Sequence, residues 1–336
     1  MKSYALKFII LFLILVLLFV GSLSFGAVKI PLEALIDVFI GNDIRPSWEY
    51  IISEYRFPKS VVGILVGIAL SISGMFMQTL FRNPMADSYI LGVSSGSSLG
   101  VALVIMGSSF LPEFLQYFLH HPLTISLSAI LGSFVVMNFI LICAKRFTDT
   151  NNLLIIGLMF SSFASAFVGI LAFFTTSEQL QRYTFWSMGS LGNVSWFSIY
   201  LLFTIVVISF IYGLRLTKPL NALLIGEAYA QTLGVSIKKI RLSIVIITCV
   251  LCGVTTAFVG PIAFVGLAVP HISRLIFKTQ DHFILFFSNI FIGANLLLLC
   301  DIISQLPGTS YILPINAITS IIGAPIVIFL LLRIKR

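Results

Sequence analysis

Long apolar runs alternate with short polar punctuation along the whole chain. A helix needs about 20 residues to cross about 30 Å of hydrocarbon at about 1.5 Å per residue. Ten runs meet that length: residues 6–26, 59–81, 88–108, 122–143, 152–172, 195–214, 240–258, 261–278, 283–303 and 313–333. The pattern predicts an all-α integral membrane protein of about ten transmembrane helices. The least defined boundary is Gly260-Pro261, because such a pair marks either a tight turn or a kink in one long helix. No segment between runs is long or polar enough for a soluble domain, so residues 1–336 are expected to form a single transmembrane domain.

Composition agrees: 59% of the residues are hydrophobic and 10% are charged, with mean hydropathy +1.10, where soluble domains carry about 25% charged residues. Positively charged loops stay cytoplasmic. With Met1 inside, fifteen of the twenty Lys and Arg residues fall on inner segments, and only Lys29, Arg45, Arg56, Lys59 and Arg182 fall outside. Both termini are then expected in the cytoplasm. The net charge of +8 is an orientation signal that needs no nucleic-acid partner. The first run, in "MKSYALKFIILFLILVLLFVGSLSFGA", exceeds the usual 7–15 residue core of a signal peptide, and a retained helix is expected.

Three polar segments stand out. Residues 27–58, outside, mix acidic and basic side chains and read as a docking surface. Residues 215–239, inside, offer a helix start at Pro219 and Asn221 and a stop at Gly234; the segment is either an amphipathic linker on headgroups or a lever touched by a partner. Residues 175–196, outside, carry Trp186 and Trp196 at interface depth, with Gln179, Gln181, Arg182 and Tyr183 as a polar side. Within the runs, small residues recur at Gly67, Ser71 and Gly74, at Gly92, Gly96 and Gly100, and at Gly253, Gly260 and Gly266, which lets helices pack closely. Cys249 and Cys252 form a C-x-x-C, read here as small buried side chains on one helical face.

Several chemistries are missing. The chain has no G-x-x-x-x-G-K-[ST] and no Gly-Lys pair, so it lacks the loop that cradles nucleotide phosphates. Its four histidines, including His120 and His121, lack metal-site spacing. Ion-coupled carriers place ionisable groups within their spans, and Asp301 is the one candidate. No cofactor is expected, and energy must come from another chain.

Five blocks, in order, carry a resemblance to the FecCD-type permeases of ABC importers, which move iron-siderophore complexes, haem or cobalamin. "SGMFMQTLFRNPMADSYILGVSSGSSLG" is similar to the family's S-G-x-x-x-Q-x-x-x-R-N-P-L-A-D-P-x-x-L-G-x-S-x-G segment. "YTFWSMGSLGNVSW", "GEAYAQTLGV", "GPIAFVGLAVPHISR" and "LPINAITSIIGAPIVIFLL" resemble its four later blocks. The chain departs from the family pattern at Ile312 and Asn316, where an acid and a glycine are usual, and at Gln305, where an arginine is usual.

The resemblance implies a cobalamin-importer-permease-like fold in the bacterial cytoplasmic membrane, with spans two to five and seven to ten as inverted repeats. It implies a transport subunit and not an enzyme, a second permease chain forming a homodimer, two ABC ATPase subunits, an extracytoplasmic substrate-binding protein, and an iron chelate, ferric siderophore foremost, as cargo. By resemblance, residues 220–234 form a coupling helix, with Leu220, Glu227, Ala228, Leu233 and Gly234 at the ATPase contact. Arg45, Arg56 and Lys59 are expected to meet the binding protein. Asp149, Thr150 and Asn151 are expected at a cytoplasmic gate, and Gln179, Arg182, Tyr183 and Trp186 beside the substrate pathway. The segment 80–100 reads as a tightly capped cytoplasmic turn without substrate contact. An ion-coupled secondary transporter is the alternative, and a channel or membrane scaffold would fit composition but not the five blocks.

Overall fold

The computed structural model describes residues 2–40, 45–87, 89, 92–110, 122–146, 150–192, 194–306, 308–309 and 311–334, and no strand occurs among them. In chain order the helices are α1 (Lys2–Ser24), α2 (Leu32–Ile40), α3 (Pro46–Tyr50), α4 (Phe57–Leu80), α5 (Val93–Ile105), α6 (Pro122–Arg146), α7 (Thr150–Phe174), α8 (Ser177–Ser187), α9 (Trp196–Ile225), α10 (Glu227–Thr232), α11 (Ile237–Val259), α12 (Val265–Phe277), α13 (His282–Ser304) and α14 (Ile315–Ile334). A π-helical stretch, Ile51–Arg56, joins α3 to α4 without a break. Among the described residues seven helical stretches are long and apolar enough to cross a membrane, and α5, α12 and the Ile315–Phe329 part of α14 are shorter apolar helices.

The third and eighth runs are therefore not full-length helices. Each contains a helix of 13 residues, which rises about 20 Å and falls short of the bilayer core. Local chemistry explains both breaks. Pro84 cannot donate a backbone bond, and Gly92, the N-cap of α5, sits at φ 78°. Gly260 (φ 78°) and Pro261 end α11, and α12 begins after Phe264 at φ 68°, a left-handed conformation uncommon for an aromatic residue. The Gly260-Pro261 pair thus marks a true break between helices. Irregular backbone at this depth is tolerated where protein covers it, and His271 Nε2 donates to the Pro84 carbonyl at 2.8 Å. The sixth run errs in the other direction: α9 continues to Ile225 with Pro219 inside it.

Two sets of four helices repeat one packing scheme. α4 packs on α13 as α11 packs on α6; α5 packs on α6 as α12 packs on α13; α5 meets α7 as α12 meets α14; and α4 meets α12 as α11 meets α5. Exchanging α4–α7 with α11–α14 maps these contacts onto themselves. An odd number of crossings separates the sets, so the second runs opposite to the first, as in inverted-repeat transporters. Close approach needs missing side chains. A Cβ on Gly67 of α4 would collide with the Gly293 carbonyl of α13, and one on Gly74 with the Gly266 carbonyl of α12. Cys249 and Cys252 are buried against Met77, Val93 and Val136, and none of the four cysteines forms a disulfide.

Candidate functional site

One end of the bundle carries α10 together with Arg82, Arg215, Lys218, Lys238, Lys239, Arg274 and Lys278; it is termed the basic end. Here α9 stops at Gly226, whose φ of 143° and ψ of 155° suit a residue without a side chain. α10 follows at once and ends at Thr232, with Leu233 as its C-cap and Gly234 at φ 79°. The expected helix start at Pro219 and Asn221 is displaced to Glu227. Proline is tolerated inside α9, and the Asn221 side chain caps another helix, accepting from His282 N (2.8 Å) and donating to Asp281 Oδ1 (2.8 Å).

Glu227, Ala228, Leu233 and Gly234 are exposed. Leu220 is fully buried in the main core and is withdrawn from the expected contact surface. In its place the structure offers Leu224, Ile225 and Tyr229, which are exposed and lie in or beside α10. Their signal in the sequence is an apolar pair directly before a glycine, which reads equally well as the end of a membrane run.

A cleft of about 350 Å³ beside α10 is lined by Gln78, Arg82, Leu224, His271, Arg274 and His282, among others. Its walls are cross-linked. Arg82 Nη2 lies 3.5 Å from Glu227 Oε1. Arg274 Nη1 donates to Gln78 Oε1 at 2.6 Å, and Gln78 Nε2 donates to the Leu267 carbonyl. His282 stands between Asn221 Oδ1 (2.8 Å) and Thr79 Oγ1 (2.9 Å). The 82–87 turn is capped as expected, with Met85 N donating to Asn83 Oδ1. It does more than end a helix, because Arg82 reaches α10, Pro84 meets α12, and the buried Asp87 carboxylate occupies the space a Gly266 side chain would need.

At the opposite end the expected docking cations divide. Arg45 is exposed and stacks over Trp48, 4.8 Å from its ring centre. Arg56 and Lys59 are buried, at 4% and 5% exposure, and are corrected out of the docking surface. Arg56 Nη1 donates to the carbonyls of Leu23 (2.7 Å) and Ser24 (2.9 Å), and Nη2 to that of Val28, so it ties the end of α1 to the start of α4. Lys59 Nζ lies 2.8 Å from Asp301 Oδ1. By sequence Lys59 reads as an exposed helix end because an apolar run comes directly after it; Asp301 of α13 and residues 188–191 and 312–315 around the same cavity enclose it.

Gln179, Arg182, Tyr183 and Trp186 share one side of α8 by their spacing. Thr176 caps this helix, accepting from Gln179 N. Gln179 Nε2 donates to Ser108 Oγ at 3.1 Å, and Tyr183 and Trp186 pack against the cluster around Val101, Ile105 and Ala257. Burial pushes the Tyr183 phenol above its ordinary pKa, and a hydrogen bond with Ser98 offsets part of that rise. Arg182 is exposed and lines a groove of about 300 Å³ with Trp186, Ser190 and Gly260. Asp149, and the side chains of Thr150 and Asn151, lie outside the described residues, as do His120 and His121; the backbone of α7 begins at Thr150. Among the described residues no group of three His, Cys, Asp or Glu is placed to hold a metal ion.

The sequence profile of the FecCD transport family matches residues 13–333. The chain belongs to the FecCD transport family. As a FecCD protein it is a multi-pass membrane transport subunit. It is 32% identical over 325 residues to the hemin transport system permease protein HmuU of Yersinia pestis, covering 96% of this chain and 94% of that one. It is 34% identical over 300 residues to the vitamin B12 import system permease protein BtuC of Shigella boydii, covering 89% of each. The FecCD chain also superposes on a solved structure described as a metal-chelate type ABC transporter in an inward-facing conformation. That match has TM-score 0.84 and 28% identity, and covers 97% of this chain and 99% of the other.

Proposed function

We propose that this chain is the permease subunit of an ATP-binding cassette importer of the bacterial cytoplasmic membrane, forming a single membrane-embedded unit that moves a bulky iron chelate. Two copies would flank a central pathway, with two ATPase subunits at the basic end and an extracytoplasmic binding protein at the other. The observation that carries this reading is the α9–α10–α11 junction. A short helix, bounded by two glycines of positive φ, projects exposed apolar side chains from the basic end, while the chain itself has no phosphate-cradling loop. Such a chain offers a handle to an energy source and none of its own. Likeness to hemin, vitamin B12 and metal-chelate transporters supports a chelate as cargo. Within that class the exposed Arg182 at the groove beside α8 favours an anionic complex, and a ferric siderophore is the cargo we assign.

The buried Lys59–Asp301 pair is the feature that favours an ion-coupled secondary transporter, the second reading. One experiment separates them. The chain is co-purified with its ATPase, reconstituted in vesicles, and supplied with binding protein loaded with ferric siderophore, haem or cobalamin. Uptake that needs ATP and survives collapse of ion gradients is expected, with ferric siderophore preferred. Uptake driven by an imposed gradient without ATP would overturn the assignment, and preference for haem or cobalamin would overturn the cargo.

A further inference from the structure

We propose that α12 is the element that passes motion of α10 across the membrane to α8, and that Asn316 is the positioning residue completing the connection. This rests on the chain being an importer permease. α12 has only 13 residues, and hydrogen bonds tie both of its ends to segments outside it.

At the basic end, α10 meets the 82–87 turn through Glu227 and Arg82, and the end of α9 meets the last turn of α4 through Asn221, His282 and Thr79. That turn and the last turn of α4 then grip α12. His271 Nε2 donates to the Pro84 carbonyl at 2.8 Å, and Arg274 donates to Gln78 at 2.6 Å. A displacement of α10 relative to the bundle therefore loads the C-terminal half of α12.

At the other end, three segments that are distant in sequence are laced together. Ala263 N, just before α12, donates to Asn316 Oδ1 at 3.1 Å. Asn316 N donates to the Met188 carbonyl, one residue past α8, at 3.3 Å, and Ser190 N donates to the Val259 carbonyl at 2.8 Å. Asn316 thus holds the entry of α12 with its side chain and the exit of α8 with its backbone. The entry is stiff: Phe264 sits at φ 68° with its Cβ over Gly323, where a side chain would collide. Since α8 carries Arg182, Tyr183 and Trp186, a shift of α12 along its axis moves the residues beside the proposed pathway. Of these three bonds, the one to Asn316 Oδ1 alone is made by a replaceable side-chain atom, which makes it the place to cut.

The test uses the reconstituted complex with ATPase and binding protein, and spin labels at two pairs of exposed positions: Gln181→Cys with Thr309→Cys to follow α8, and Gln231→Cys with Lys278→Cys to follow α10. In the otherwise unaltered protein both distances should change on trapping ATP. With Asn316→Ala the α10 distance should still respond while the α8 response is lost, and binding-protein-dependent uptake should fall about two- to thirty-fold. Asn316→Asp, which keeps an acceptor oxygen, should restore both. Asn316→Ser, polar but too short to reach Ala263 N, should behave as Asn316→Ala and serves if the alanine protein is poorly made. His271→Ala added to Asn316→Ala should lower uptake no further than Asn316→Ala alone, because the connection is already interrupted at Asn316. Persistence of the α8 response in Asn316→Ala and Asn316→Ser, or equal loss in Asn316→Asp, would overturn the proposal. Absence of any nucleotide response in the unaltered complex would instead overturn the importer reading on which it rests.

Discussion

Lys59 and Asp301 form an ion pair at 2.8 Å with side-chain exposures of 5% and 2%, joining the start of α4 to the end of α13. Gln305 Nε2 donates to the second carboxylate oxygen at 3.0 Å. Lys59 and Asp301 face a cavity of about 260 Å³, and because they belong to different repeats the pair fixes how the repeats meet at this end. Breaking a buried pair strands a charge and costs about 3–5 kcal/mol, whereas replacing both partners by apolar groups can be neutral. Lys59→Met and Asp301→Leu are each expected to lower the thermal unfolding midpoint of detergent-purified protein, and the double variant to recover most of the loss. Equal damage in the double variant would show that the charges themselves are required.

At the basic end, Ala228→Arg is expected to abolish co-purification with the ATPase and uptake together. The side chain is exposed and lies among Leu224, Ile225, Tyr229 and Leu233, so a partner that covers this patch gains about 25 cal/mol per Å² of apolar area and would have to bury the added charge. Leu220→Ala should act differently. Leu220 is fully buried, and its truncation should lower stability by about 2–5 kcal/mol without a specific defect in ATPase binding. Pull-down and thermal unfolding of the two variants give the comparison.

Of the three expected docking cations, Arg45 alone is exposed. Arg45→Glu is expected to slow association of the binding protein at low salt, with the difference shrinking as salt is added, because rim charges act mainly on encounter. Arg56→Glu is expected to prevent accumulation of folded protein, since it would set a carboxylate against the Leu23, Ser24 and Val28 carbonyls. Stopped-flow binding and membrane expression level are the two measurements.

Single cysteines at positions 149, 150 and 151 are expected to crosslink between two permease copies in one nucleotide state and less in the other, if the segment leading into α7 closes the pathway. Gel mobility under non-reducing conditions reads the outcome. No interchain product in any state, with uptake retained, would take these positions out of the gate.

Much of this architecture was legible in the sequence. Ten apolar runs anticipated the helices because burial in lipid demands length, and the small residues at 67 and 74 anticipated close packing because nothing else permits it. Hydropathy could not tell a 13-residue helix from a full crossing, since the left-handed Gly92 and the irregular stretch after Gly260 each merge into the apolar run beside them. The cations at 56 and 59 looked exposed for a related reason: charge near the end of an apolar run is ordinarily solvated, and only tertiary packing reveals Asp301 opposite Lys59 and three carbonyls around Arg56. The role of Asn316 was visible only as a departure from the family pattern, because its partner Ala263 lies far away in sequence.

The length of α9 has a mechanical meaning. Thirty residues rise about 45 Å, about 15 Å more than a perpendicular crossing of the hydrocarbon slab requires, and the helix carries α10 at its end. Proline removes one backbone bond about two turns before that end, where the shaft would be most pliant, yet Leu216, Thr217 and Leu220 on either side of Pro219 are buried in the body of the protein. The weak point is splinted by its surroundings. Torque applied at α10 by a partner would therefore be delivered to the neighbouring helices instead of being absorbed as bending of the shaft.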